Sequence, residues 1–430
     1  FVATSLLLGA CIHPLPGAEP QTDGPSRQST VSRPETDRLV LLESTGHDTD
    51  RLVLLGSTFI ERAQRFGYLE TAIIRRKPNN TISIRNLGWS GDTVFAESRG
   101  IFDPPAKGYS RMLDQIRTLK PTVIVLAYGM NESYAGQTGL PRFLKQLGRL
   151  IDDLQPTQAQ IVLASPHWHT RSSAPLPDPT TRNRNLELYI QALATYAQER
   201  KLPFLNLRRA LSATQRSAKL KLTDNGIHPN ATGYWSCAEL FADQLFGAVH
   251  ANTAGTWRVE IDANGQIQKL VGTRLDQIQV AGGKVAFRAR DAYLPAPRLG
   301  TTQPAARRLQ VTGLPAGQYS LKVDGRVVAR GSAAQWSKSR TLDNGPEFTQ
   351  VERLRQTIID KNMNYFHRWR PQNVTYLFGF RKHEQGQNAK EVAEFDGLVS
   401  QAESRISKLR QPQYHTYELA SSQPERRIQP

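Results

Sequence analysis

Two textures alternate through the first 250 residues or so, and a third replaces them beyond. Apolar runs (LVLLG, TISIRNLG, TVIVLAYG, QIVLASP, LPFLNL) each stop at a glycine, a proline or a polar loop. Between them lie segments with apolar positions every three to four residues, such as FIERAQRFGYLETAII, YSRMLDQIRTLK, LPRFLKQLGRLIDDLQP and NRNLELYIQALATYAQERK. TVIVLA is apolar without alternation, as expected of a strand buried on both faces. The β–α alternation predicts a parallel sheet of about five strands with helices on both faces, spanning 50–250. From 251 to 345 the period drops to two, and Asn264-Gly265 and Asp324-Gly325 mark turns, which predicts a small antiparallel β module. From 346 to 430 a helical pattern returns, then an aromatic, basic loop (RPQNVTYLFGFRKHEQGQN), a second helix and an irregular tail after Gln411.

The N-terminal portion has its own pattern. FVATSLLLGAC is a short apolar run ending in small residues before Cys11, and residues 1–11 read as the remnant of a signal peptide with a lipoprotein-type box. Lipidation at Cys11 would anchor an exported protein to a membrane of the cell envelope or periplasm. Residues 12–49 form a Pro-, Ser- and Thr-rich tether carrying a duplicated strand sequence. DRLVLLEST starts at Asp37 and DRLVLLGST at Asp50, and only the second copy runs into a helical pattern.

A chain of 430 residues exceeds one ordinary domain. Its net charge of +17 is uneven: residues 281–340 hold eleven Lys and Arg against two Asp. That segment is a candidate contact for a polyanion; no motif specific for nucleic acid accompanies it. Two cysteines exclude a disulfide framework, and Cys237 reads as a core residue. His167 and His169 flank Trp168 with no carboxylate at ligand spacing, so they read as exposed loop histidines. No metal and no cofactor are expected.

Four loops hold the residues with chemistry: LVLLGSTFIER, IRNLGWSGDT, VLAYGMNES and LTDNGIHPNATGY. In this order, each after its own element, they resemble the four blocks of SGNH (GDSL-like) hydrolases over roughly 50–250. That resemblance implies a flavodoxin-like, three-layer α/β/α fold. The wider set, including PLPDP and YFHRWRPQN, resembles exported SGNH proteins of planctomycete-type bacteria that carry a β and helical extension. The implied activity is hydrolysis of a small ester, such as an acetylated carbohydrate, by acyl transfer.

The resemblance places Thr58 at the nucleophile and His228 at the base. Gly88 and Asn131, with the N–H at Thr58, would form the oxyanion hole. Two positions depart from the family pattern. Aligning LLGST on L-G-D-S puts Ser57 where the family has Asp and Thr58 where it has Ser; Ser57 could attack instead if the loop shifts by one. The orienter of His228 is Asp224 or Asn225, and the residue three before His228 is the amide. Trp89 is a candidate sugar-stacking residue. The rival reading is a non-catalytic SGNH-like protein that holds a glycan or an envelope partner in the same cleft.

Overall fold

The structure is a computed structural model, and it describes residues 49–78, 81–173, 175–211, 220–246, 256–300, 307–384 and 388–422. Cys11, the tether and the first DRLVLL copy lie outside the described residues.

Strands β1 (Thr49–Gly56), β2 (Thr81–Gly88), β3 (Val123–Ala127), β4 (Gln160–Ala164) and β5 (Phe204–Leu205) make one sheet in the order β2-β1-β3-β4-β5. Every neighbouring pair is parallel. This is the parallel sheet between two helical layers expected from the alternation, and the α/β/α fold that the motif resemblance implied. Successive side chains of β1 feed opposite cores. Leu52 and Leu54 pack with α2 (Tyr68–Arg75) and α6 (Ala231–Phe246). Val53 and Leu55 pack with α3 (Pro105–Leu119), α4 (Gly136–Leu154) and α5 (Thr180–Glu199). The chain leaves β1 toward one face and leaves β2 toward the other. The strand order therefore reverses between β1 and β3, and in sheets of this kind ligands bind beyond the carboxyl ends of the strands at that point. The short helix α1 (Thr58–Ala63) begins there.

The β module is a sandwich. One sheet is β12-β11-β14-β9-β8, wholly antiparallel, and the other is β13-β10-β6-β7. These strands are β6 (Trp257–Asp262), β7 (Ile267–Val271), β8 (Thr273–Ala281), β9 (Lys284–Asp291), β10 (Arg307–Thr312), β11 (Gln318–Val323), β12 (Arg326–Ser332), β13 (Arg340–Leu342) and β14 (Tyr414–Ser421). Trp257, Val259 and Ile261 from one sheet meet Phe287, Leu321 and Tyr417 from the other in a shared core. The module is antiparallel as expected, apart from one parallel pair, β6 with β10. One expectation needs correction. The tail after Gln411 is not irregular: Tyr414–Ser421 pairs between β11 and β9 in the middle of its sheet. The module thus draws a strand from the far side of the helical extension. A buried cluster fixes that return, with Arg307 bonding Asp291, Glu347 (2.8 Å) and the Tyr417 hydroxyl (3.0 Å).

The helical extension is α7 (Pro346–Trp369) and α8 (Phe395–Leu409). Val351, Leu354, Ile358 and Ile406 join the core of the α/β domain beside α2. β2 is an edge strand, and the extension covers it: Lys361 Nζ donates to the Ile84 carbonyl (2.9 Å) and pairs with Glu70. Asn362 donates to the same Glu70 (2.6 Å). An edge carbonyl that would otherwise invite another strand is thereby satisfied.

Candidate active site

Each loop end is built by local bonds. The Ser57 carbonyl accepts the N–H groups of Ile60 and Glu61, both at 3.1 Å, so α1 starts immediately after β1. Ser57 itself is buried and makes no side-chain cap bond. Thr58 is the first residue of α1, where a backbone N–H has no helical acceptor. The second loop crosses above it: Trp89 N–H donates to the Gly56 carbonyl (3.0 Å), and Gly91 N–H donates to Thr58 Oγ1 (3.2 Å). Gly91 has φ +78°, with open space where a Cβ would be.

Gly88 does not play the part expected of it. Its N–H is taken by Asn86 Oδ1 (2.9 Å), and Asn86 Nδ2 donates onward to the Ile60 carbonyl (2.6 Å). A Cβ on Gly88 would sit 2.1 Å from Glu61 N, so this glycine is there to let β2 and α1 touch. The donor that points at Thr58 is Gly91. The motif N-L-G-W-S-G-D-T offers two glycines three apart, and only the side-chain bond of Asn86 separates their roles.

The third loop contributes Asn131, whose Nδ2 donates to the Asp92 carbonyl (2.7 Å) and keeps a second hydrogen. Next to it, Glu132 accepts from Val94 N–H (2.7 Å) and Gly129 N–H (2.8 Å), lashing the second and third loops together. Burial pushes the Glu132 carboxyl up to about 7.

The fourth loop carries His228. Asn225 Oδ1 accepts backbone N–H bonds from Ile227 (3.2 Å) and His228 (3.0 Å). That fixes the amide, and Nδ2 is what faces His228 Nδ1, at 3.2 Å. The amide nitrogen is a donor, so Nδ1 accepts and the neutral ring carries its proton on Nε2. Partial burial, then the charge of Arg62, lower the His228 pKa, and Asp224 partly offsets them. Asp224 is not the orienter; its carboxylate pairs with Arg62 of α1 (2.5 Å) and its side chain is 54% exposed. Thr58 and His228 make no direct hydrogen bond among the described contacts. Such bonds are often long without substrate.

Three features escaped the sequence reading. Arg62 ties α1 to the His228 loop. His167 and His169 are buried rather than exposed, at 2% and 8%, and burial lowers both to about 4. His167 Nδ1 donates to the Trp168 carbonyl (3.0 Å), and its ring lies 5.7 Å from Phe59. The third is Arg370, from the end of the helical extension. Its guanidinium lies 3.6 Å over the Trp89 ring and its Nη1 bonds Glu61 Oε2 (2.7 Å), which also accepts Ser90 N–H (2.7 Å). Trp369 meets Trp89 edge-on at 5.9 Å. One face of Trp89 is therefore occupied by the protein itself. Further along the same segment, Phe378 and Phe380 are exposed.

Residues 60–235 match the model of the GDSL-like Lipase/Acylhydrolase family. The match begins two residues after Thr58 and includes His228. Among solved structures, the chain is similar to a gut microbial diltiazem-metabolizing enzyme at 18% identity, with a TM-score of 0.64 over 87% of this chain and 98% of that one. That likeness concerns the fold, and it extends past the α/β domain into both C-terminal modules. The chain is also similar to an acetylxylan esterase, Axe2, from Geobacillus stearothermophilus, at 17% identity over 46% of this chain and 94% of that one (TM-score 0.36). A search of the curated proteins found no match.

Proposed function

With residues 60–235 forming a domain of the GDSL-like lipase/acylhydrolase family, we propose that this chain hydrolyses carboxylic esters of small acyl groups, with Thr58 as nucleophile. The observation that carries the reading is the Gly91 N–H held against Thr58 Oγ1. In this reading, an ester carbonyl attacked by that oxygen would take the same N–H and the second amide hydrogen of Asn131 as donors. These two donors, with the N–H at Thr58, make an oxyanion hole. The Thr58 oxygen adds to the acyl carbon, the alcohol leaves with a proton, and water releases the acyl group from Thr58. His228 takes the Thr58 proton only when its own proton sits on Nδ1. The resting tautomer is the other one, so a change of tautomer has to precede that proton transfer. The alcohol is taken to be a carbohydrate hydroxyl and the location exported, both from the motif resemblance and the apolar run before Cys11.

The Asn225 Nδ2 to His228 Nδ1 contact favours a second reading, a cleft that binds an acylated glycan without cleaving it. An aryl acetate assay separates the two. Hydrolysis that disappears in both Thr58→Val and His228→Ala supports the enzyme. Hydrolysis that survives both, or none in the wild type even with Asn225→Asp, supports the binder.

A further inference from the structure

A cleft of about 610 Å³ lies away from the Thr58 site, between the end of α2 and the β8 edge of the five-stranded sheet. Its walls include Arg76, Lys77, Arg274, Arg290, Tyr293 and Tyr414. Two of the charges nearby are already answered. Arg76 is buried against Glu239 and Asp243, and Asp291 is consumed by Arg307. Arg274 and Arg290 differ. They stand directly opposite each other across β8 and β9, and among the described residues neither has an ion-pair partner. Like charges in that position destabilise a sheet. The next residue in the row, across β9 and β14, is Tyr414. Tyr414 is 42% exposed, with the Arg288 guanidinium 4.7 Å and the Arg290 guanidinium 5.8 Å from the centre of its ring. Arg290 is held in place by its Nε bond to the Pro412 carbonyl (3.2 Å).

We propose that this cleft binds an anionic oligosaccharide, with Arg274 and Arg290 taking its sulfate or carboxylate groups and Tyr293 and Tyr414 lying against its sugar rings. Two unpaired guanidinium groups supply bidentate donors for such oxyanions. A bound oxyanion also relieves the repulsion between them. The volume suits a few sugar units. A nucleic-acid duplex would need a far larger face. The proposal is independent of whether Thr58 is a nucleophile.

Calorimetric titration of the full chain with a heparin hexasaccharide tests it. The expected result is saturable binding that weakens with salt, with no heat from cellohexaose. Arg274→Ser/Arg290→Ser should lose at least about tenfold in affinity. Arg326→Ser/Arg330→Ser, on the opposite edge strand β12, should match the wild type. The thermal midpoint of the first pair should hold or rise, because a like-charge pair is gone; if it falls, Arg274→Gln/Arg290→Gln keeps the stems and is titrated instead. Absence of saturable binding, equal loss in the β12 pair, equal affinity for sulfate ion alone, or equal affinity for a short DNA duplex would each overturn the proposal.

Discussion

The side-chain nitrogen of Asn225 faces Nδ1 of His228 at 3.2 Å, and this leaves the imidazole with its proton on the edge a base must keep bare. The amide cannot turn over without aiming its NH₂ at two backbone N–H groups. Asn225→Asp puts an acceptor at Nδ1 and draws the proton there. The expected outcome is a rise of at least about 100-fold in kcat/KM on aryl acetate, since the converse change in a serine-protease triad costs about 10⁴. The carboxylate also favours the imidazolium, so the acid limb of the pH–rate profile should move up. An unchanged rate would mean that the tautomer is not what limits the reaction.

The two glycines of the second loop should separate cleanly on mutation. Gly88→Ala drives a methyl into the Glu61 backbone and should cost more than about 3 kcal/mol, or prevent folding. Gly91→Ala meets open space and carries only the strain of φ +78°, about 1 kcal/mol. It should fold, and its kcat should drop. Chemical denaturation and initial rates check both. A folded, fully active Gly88→Ala would remove the packing role assigned to that position.

Arg370 should matter to a loop about 280 positions earlier in the chain. Removing it leaves Glu61 with only the Ser90 N–H and uncovers Trp89. Arg370→Ala should cost about 1–3 kcal/mol and speed hydrogen exchange at Trp89–Gly91. Lysine should not rescue it, because the flat guanidinium is what stacks. Exchange that stays as slow as in the wild type would show that the loop holds itself.

Acid should weaken the fold through His167. Its pKa drops from 6.5 to about 4 on burial. The unfolded chain therefore binds the proton first, and stability falls as pH drops from 6.5 toward 4, levelling below. The full effect is roughly 3 kcal/mol. His167→Asn keeps a donor for the Trp168 carbonyl and should flatten that part of the pH–stability curve; an equally steep curve would place the sensitivity elsewhere.

The sheet was legible because buried parallel strands leave unbroken apolar runs, and the loops because β1 ends at Gly56 and Gly129 follows β3 by two residues. Motif order placed Thr58, Asn131 and His228 on separate loops, and the structure has them at the start of α1, beyond β3 and before α6. What was hidden depends on where one side chain points. Asn86 reaching back to Gly88, and the Asn225 amide turned by two N–H groups, leave no trace in residue spacing. Arg370 and β14 were hidden for another reason: both act across long sequence separations, and local periodicity says nothing about which distant edge a strand will fill. The buried histidines were misread because SPHWHT looks like a polar loop, yet it follows β4 into a packed wall.

Strand β14 has a consequence for biosynthesis. Its neighbours β9 and β11 are made well over a hundred and about ninety residues earlier, respectively, and stay apart until it emerges from the ribosome. For that interval the nascent chain shows two open strand edges, with Phe287 and Leu321 lacking their cover. Such a chain is a natural client for chaperones. Messages interrupted before Tyr414 should yield a protein whose α/β domain can form while its β module stays unfinished, so degradation would begin at the sandwich.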